Sequence, residues 1–120
     1  ADLINAAFNS ITYQTKDIVD CLANADIDVT SLNIDGGMIA NKTFSQQISN
    51  LLNKEVSVPD NKEATARGVA VLAGVSAGIY DINLVSNQNR TVLKPDPIAH
   101  SFMLEDYKIW KKLIEKALLP

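Results

Sequence analysis

The chain has 120 residues, 47% of them hydrophobic and 21% charged, with a formal net charge of -3. That length suits one domain with a real core, and that composition is that of an ordinary soluble globular protein, not a disordered or fibrous one. The weakly acidic balance gives no basic surface for nucleic acid, and no apolar run approaches the roughly 20 residues of a membrane span.

The opening residues, ADLINAAFNS, lack the basic and continuous apolar regions of a signal peptide, and a single Cys21 has no partner for an internal disulfide. Both features point to a reducing, cytoplasmic setting. Asn41-Lys-Thr43 and Asn89-Arg-Thr91 then read as chance glycosylation triplets.

Ile4, Phe8, Ile11, Thr15, Ile18 and Leu22 step by four, three, four, three and four, which predicts a helix over residues 3–23 with one continuous face. The stripe is already running at the first residues without a start signal, as expected of a piece excised from a longer protein. A polar link follows, then a short strand over residues 32–35. Phe44, Ile48, Leu51 and Leu52 mark a second helix over 41–53. Alternation in Glu55-Val-Ser-Val-Pro59 marks a second strand, ended by the proline. Strand, helix and strand in that order predict an α/β fold built on a parallel βαβ unit with a right-handed crossover, flanked by helices.

A third helix is expected over residues 63–79, with Glu63 and Thr65 as its start group. Ala66, Ala70, Gly74 and Gly78 recur along it every four residues. Each glycine costs about 1 kcal/mol inside a helix, so the stripe demands close approach of another helix or the sheet. Residues 81–101, rich in Asn and Pro, read as an irregular link. The last helix, over 104–118, should pack Tyr107, Trp110, Leu113, Ile114 and Ala117. This gives a single partial domain over 1–120, with its core in about 1–80 and the link and final helix in 81–120. Two strands make a marginal sheet, so further strands are expected upstream; the open edges also leave a homo-oligomer conceivable.

The segment most in need of explanation is SLNIDGGMIAN, residues 31–41, where two of the chain's 5 glycines stand side by side. Gly36 and Gly37 fall in the crevice outside the strand ends, where ligands of α/β sheets usually lie. Glycine permits positive φ and close approach to the main chain, and the following helix start has free amides suited to a phosphate. Asn41 offers a carboxamide to the same place. A plain alternative stands beside this: Asp-Gly-Gly is common turn composition and Asn a good helix cap. No G-x-x-x-x-G-K-[ST] or G-x-G-x-x-G is present. Asp35 fits turn chemistry, Cys21 a small packed side chain, Trp110 helix docking, and His100 a polar link with no second ligand nearby for a metal.

The stretch DGGMIANKTFSQQISNLLNKEVSVPDNKEATARGVAVLAG, residues 35–74, resembles the carboxyl-terminal lobe of the FGGY carbohydrate kinases. Within that family it is most similar to the glycerol kinase branch, with its DGG-x-x-AN segment followed by P…E-x-TALGAA…AG. Asp2-Leu-Ile-Asn-Ala-Ala-Phe-Asn9 looks like the tail of a family signature, Ile11-Thr-Tyr-Gln-Thr15 like the IA(F/Y)QT after it, and Tyr107-Lys-Ile-Trp-Lys111 like the closing Y-x-x-W-K. The resemblance implies an actin-like (ribonuclease H-like), two-lobed ATP-dependent sugar kinase, of which this is the last part of the second lobe.

By the same resemblance ATP lies between the lobes, and Gly37 and Asn41 contact the nucleotide while Gly36 is the neighbouring turn residue. Mg²⁺ is held mainly through the nucleotide and the missing lobe. The acceptor is a polyol, glycerol above all, giving glycerol 3-phosphate. The acceptor site and the proton-accepting carboxylate lie outside the chain, so no catalytic residue and no metal ligand is expected within it, and the isolated piece should be inactive. Asn9, Lys42, Arg67 and the segment Val75-Ser-Ala-Gly-Ile-Tyr80 depart from the family pattern. Those departures keep two other functions open: a non-catalytic interaction or regulatory module with the same fold, and an actin-like enzyme for another polyol or sugar.

Overall fold

The computed structural model describes residues 2–60, 64–81 and 89–118. In chain order the elements are α1 (Asp2–Asn24), β1 (Ser31–Asn33), a 3₁₀ turn (Gly37–Ala40), α2 (Lys42–Leu52), β2 (Glu55–Pro59), α3 (Ala64–Ser76), β3 (Arg90–Leu93) and α4 (Pro97–Leu118). The sheet runs β1-β2-β3. β1 and β2 are parallel, with Leu32 opposite Val56, as the strand–helix–strand order requires. β3 pairs antiparallel to β2, with Val56 opposite Leu93 and Pro59 opposite Arg90.

β3 corrects the irregular link: a third strand lies within residues 81–101, of which 82–88 are outside the described residues. α4 also begins seven residues earlier than its apolar spacing suggests. Its start is set by Asp96, whose Oδ1 accepts from Ile98 N at 2.8 Å and Ala99 N at 3.1 Å, with Pro97 at the first helical position. His100 accordingly sits in a helix, not in a link, and its Nδ1 donates to the Asn50 carbonyl at 2.8 Å. Asn50 completes the junction, its Oδ1 accepting from Gln46 Nε2 and Asp96 N, each at 2.9 Å.

Each of the first three helices stops on a residue in the left-handed region: Asp26 (φ 60), Asn53 (φ 52) and Gly78 (φ 72). Paired end-of-helix bonds close all three, such as Gly78 N to Val75 O at 3.0 Å and Ile79 N to Gly74 O at 2.8 Å. Gly78 therefore ends α3 and belongs to no packing stripe. Gly74 is buried, but by its own chain: a Cβ there would stand 2.2 Å from Tyr80 Cδ2. Ala66 and Ala70 are exposed, so the predicted close approach of another element to this stripe is absent among the described residues. Glu63, named as part of the start group, lies outside them.

The core lies between α2, α1 and the sheet, where Val19, Phe44, Ile48, Leu52 and Val56 are buried together with Phe8 and Leu93 against them. A second cluster joins Tyr13, Leu51 and Tyr107, with Trp110 and Met103 packed on it. Tyr13 lies 5.4 Å from Trp110 and 5.8 Å from Tyr107, ring centre to ring centre, so Trp110 is a docking residue as expected. The Tyr107 hydroxyl donates to Asp17 Oδ1 at 2.5 Å and Asp20 Oδ2 at 3.4 Å; Lys16 and Lys111 stand 5.9 and 5.7 Å from its ring centre.

Two predicted faces are corrected. On α1 the residues that pack are Phe8, Thr12, Tyr13 and Val19, while Ile4, Ile11, Ile18 and Cys21 are exposed. On α4 only the first half docks, and Leu113, Ile114 and Ala117 are exposed. The Cα radius of gyration, 17.5 Å, accordingly exceeds the roughly 14 Å of a compact domain of this length.

Candidate functional site

Parallel β1 and β2 direct their carboxyl ends to the same edge, and the chain leaves β1 there through Asp35-Gly36-Gly37. Asp35 closes the turn: its Oδ1 accepts from Gly36 N at 2.7 Å. Gly36 has φ 103 and ψ 172, a conformation almost reserved for glycine. The 3₁₀ turn follows, with Ile39 N donating to Gly36 O at 3.2 Å and Asn41 N to Met38 O at 3.0 Å. Buried Ile39 anchors this turn to the protein, whereas Gly36, Gly37 and Asn41 are all exposed.

Asn41 caps α2. Its Oδ1 accepts from Thr43 N at 3.0 Å and Phe44 N at 3.3 Å. The cap reading is therefore correct, and it leaves the side-chain amide nitrogen unengaged among the described residues. A Cβ built on Gly36 or Gly37 would meet nothing within 4 Å, so the main chain there lies open. The three residues named from the sequence thus share one exposed corner at the strand ends.

A cleft of about 410 Å³ adjoins this corner. Lys42 and Ser45 line one wall, Asp60 and Thr91 another, and Val58 and Leu93 contribute apolar surface. Gly36, Gly37 and Asn41 do not line it. Sequence reasoning missed the cleft because its far wall depends on β3; Thr91 Oγ1 donates to Asp60 Oδ1 at 3.3 Å across the β2–β3 pair. Lys42 makes no ion pair among the described residues. No group of three or more His, Cys, Asp or Glu side chains among those residues converges where a metal ion would sit.

The family model for the FGGY family of carbohydrate kinases, C-terminal domain, matches residues 1–77. The chain belongs to this family. Everything from α1 through α3, including the Gly36–Asn41 corner, falls inside the matched FGGY segment. Glycerol kinase of Francisella philomiragia is 32% identical to it over 124 residues, covering 97% of this chain and 24% of that protein. The crystal structure of Plasmodium falciparum glycerol kinase with ADP overlays at a TM-score of 0.70 and 29% identity, covering 98% of this chain and 24% of that one. A xyloylose kinase from Brucella ovis overlays at 0.71 with 19% identity, covering 96% of this chain and 25% of that one, a likeness of fold alone. This FGGY chain spans about a quarter of the length of the curated relatives it matches. No helix among the described residues is long and apolar enough to cross a membrane.

Proposed function

We infer that the chain is the nucleotide-binding portion of an actin-like, ATP-dependent carbohydrate kinase. The whole enzyme transfers the terminal phosphoryl group of ATP to a polyol hydroxyl, glycerol first among acceptors. The single observation that carries this reading is the open Gly36–Gly37 main chain beside exposed Asn41, at the carboxyl ends of parallel strands in an FGGY chain. A nucleotide fits such a corner: side-chain-free backbone admits a flat or charged group, and the Asn41 amide nitrogen remains free to donate to it.

Phosphoryl transfer depends on positioning and on charge stabilisation, and this chain's residues contribute the first of these. Gly36 turns the chain, Gly37 leaves room, and Asn41 orients. Mg²⁺ neutralises phosphate charge when bound; in this reading it is held through the nucleotide and through residues outside the chain. The acceptor site and proton-accepting carboxylate also lie outside, so the isolated chain binds nucleotide weakly and transfers nothing. An ADP titration followed by amide shifts tests the reading. Shifts should concentrate at residues 36–43; shifts confined elsewhere, or none at millimolar ADP, would refute it.

A further inference from the structure

α4 has two unlike sides. One carries Tyr107 and Met103 and docks on Tyr13 of α1 and Leu51 of α2. The opposite side is apolar but uncovered: Ile98 and Phe102 are 71% and 70% exposed, Ile109 and Leu113 59% and 60%. Spacings of four, seven and four residues keep these side chains on one line of the helix. A continuous line of large apolar residues marks a contact surface, unlike single apolar residues scattered over a protein. This one lies outside residues 1–77, the segment that the family model matches. Charge along the line is divided: Glu105 and Asp106 precede Ile109, while Lys112 and Lys116 follow it. Glu105 pairs with Lys108, and Lys111 with Asp17. Asp106, Lys112 and Lys116 make no ion pair among the described residues, and two lysines four apart on a helix repel each other.

We propose that this face of α4 binds a second copy of the chain, helix against helix in antiparallel order about a two-fold axis at Ile109. Charge complementarity selects the occupant. The antiparallel order sets Ile109 on its own copy, Phe102 beside the partner's Lys116 and Asp106 beside the partner's Lys112. Symmetry makes each unlike contact twice. The unpaired lysines then gain an acidic neighbour and a ring face, which no other element of the chain gives them. A parallel pair would instead set Lys112 on Lys112 and Asp106 on Asp106. An anionic bilayer fits less well, because Glu105 and Asp106 lie within the face that would have to meet it. From Ile98 to Lys116 the helix runs about 27 Å. A contact of that length belongs to the small, transient class, so the dimer forms at about micromolar concentration or above. The pairing does not depend on the nucleotide reading.

The test is sedimentation velocity of the 120-residue chain from micromolar to millimolar concentration, with Cys21→Ser to remove its one thiol. A concentration-dependent dimer is expected. Ile109→Glu should weaken it about tenfold or more, without changing the circular dichroism of the chain. Lys112→Glu should weaken it too, and adding Asp106→Lys to the same chain should restore it, because both contacts then reverse sign together. Val69→Glu, on the exposed side of α3, should leave it intact. The proposal is overturned if the chain stays monomeric at millimolar concentration, or if Val69→Glu matters as much as Ile109→Glu. It is equally overturned if the charge swap fails to restore the dimer, or if the chain stays monomeric and floats with phosphatidylglycerol vesicles. Because the readout is association, a dimer that binds no ADP would count against the nucleotide reading and leave this one standing.

Discussion

Asn41 has two duties that substitution can separate. Its carboxamide oxygen caps α2 through Thr43 N and Phe44 N, and in the proposed function its amide nitrogen donates to the nucleotide. Asn41→Ala removes both, and loss of an N-cap costs about 1 kcal/mol of stability. Asn41→Ser retains a cap but has no donor of the same reach. Asn41→Asp caps at least as well, because a carboxylate suits the positive end of the helix, yet it sets a negative charge against phosphate. Thermal unfolding should therefore rank Asp and Asn and Ser together above Ala. Affinity for ADP should rank Asn first, Ser and Ala next, and Asp last. One net hydrogen bond is worth about 0.5–1.5 kcal/mol, so Asn41→Ser should weaken ADP binding by about two- to twelve-fold. If affinity instead follows the stability order, with Asp as good as Asn, the residue is a cap and nothing more.

Gly37→Ala should leave the melting temperature unchanged or slightly higher and weaken ADP binding severalfold, measured by the same titration. Gly36→Ala should cost about 1–3 kcal/mol in denaturant unfolding, because φ 103 is strained for any side chain. Burial, and then the Asp17 hydrogen bond, hold the Tyr107 hydroxyl well above the usual tyrosine range. An unfolded tyrosine ionises at about pH 10, so the stabilisation is complete below that pH and is lost as pH climbs past it. Tyr107→Phe should lower stability by about 1 kcal/mol at neutral pH and flatten the fall in melting temperature above pH 10. Gly74→Ala should be neutral or harmful beside Tyr80, yet stabilise by about 1 kcal/mol in a Tyr80→Ala background, where the ring no longer occupies the site; a double-mutant cycle reads this directly.

Much of the fold is legible in the sequence because its signals are local. Glu55–Pro59 alternates and ends in proline, and the strand has those bounds. The parallel pairing follows from element order alone. β3 was not legible because its four residues, Arg90–Leu93, lie amid Asn and Pro, and what holds them is pairing across the sheet to β2. The start of α4 is written plainly in Asp96-Pro97, a cap followed by a helix-opening proline, whereas the apolar spacing alone begins only at Leu104. The face of α1 failed for another reason. Thr12 is fully buried with its hydroxyl on Phe8 O at 2.9 Å, so a polar residue enters the core with its bond satisfied. Counting apolar residues alone then selects the isoleucines, which this chain leaves uncovered.

The corner at residues 35–41 shows why a motif and a fold are hard to tell apart from sequence. Asp35 is accounted for by the turn, as expected, and Gly36 by its backbone angles and Asn41 by the cap, so two of the three residues that suggested a nucleotide site have folding reasons to be what they are. Gly37 has none. Its φ lies outside the left-handed region, and a Cβ there would touch nothing within 4 Å. Glycine at such a position gives up backbone entropy relative to alanine without a return inside this chain. In the proposed function, a nucleotide lying against the main chain supplies the reason. The same reasoning separates Gly37 from Gly74, whose missing Cβ is explained by the Tyr80 ring, and from Gly78, whose φ of 72 ends a helix. Gly68, inside α3, likewise has an ordinary φ and open space where a Cβ would stand, so what distinguishes Gly37 is its place at the carboxyl ends of parallel strands.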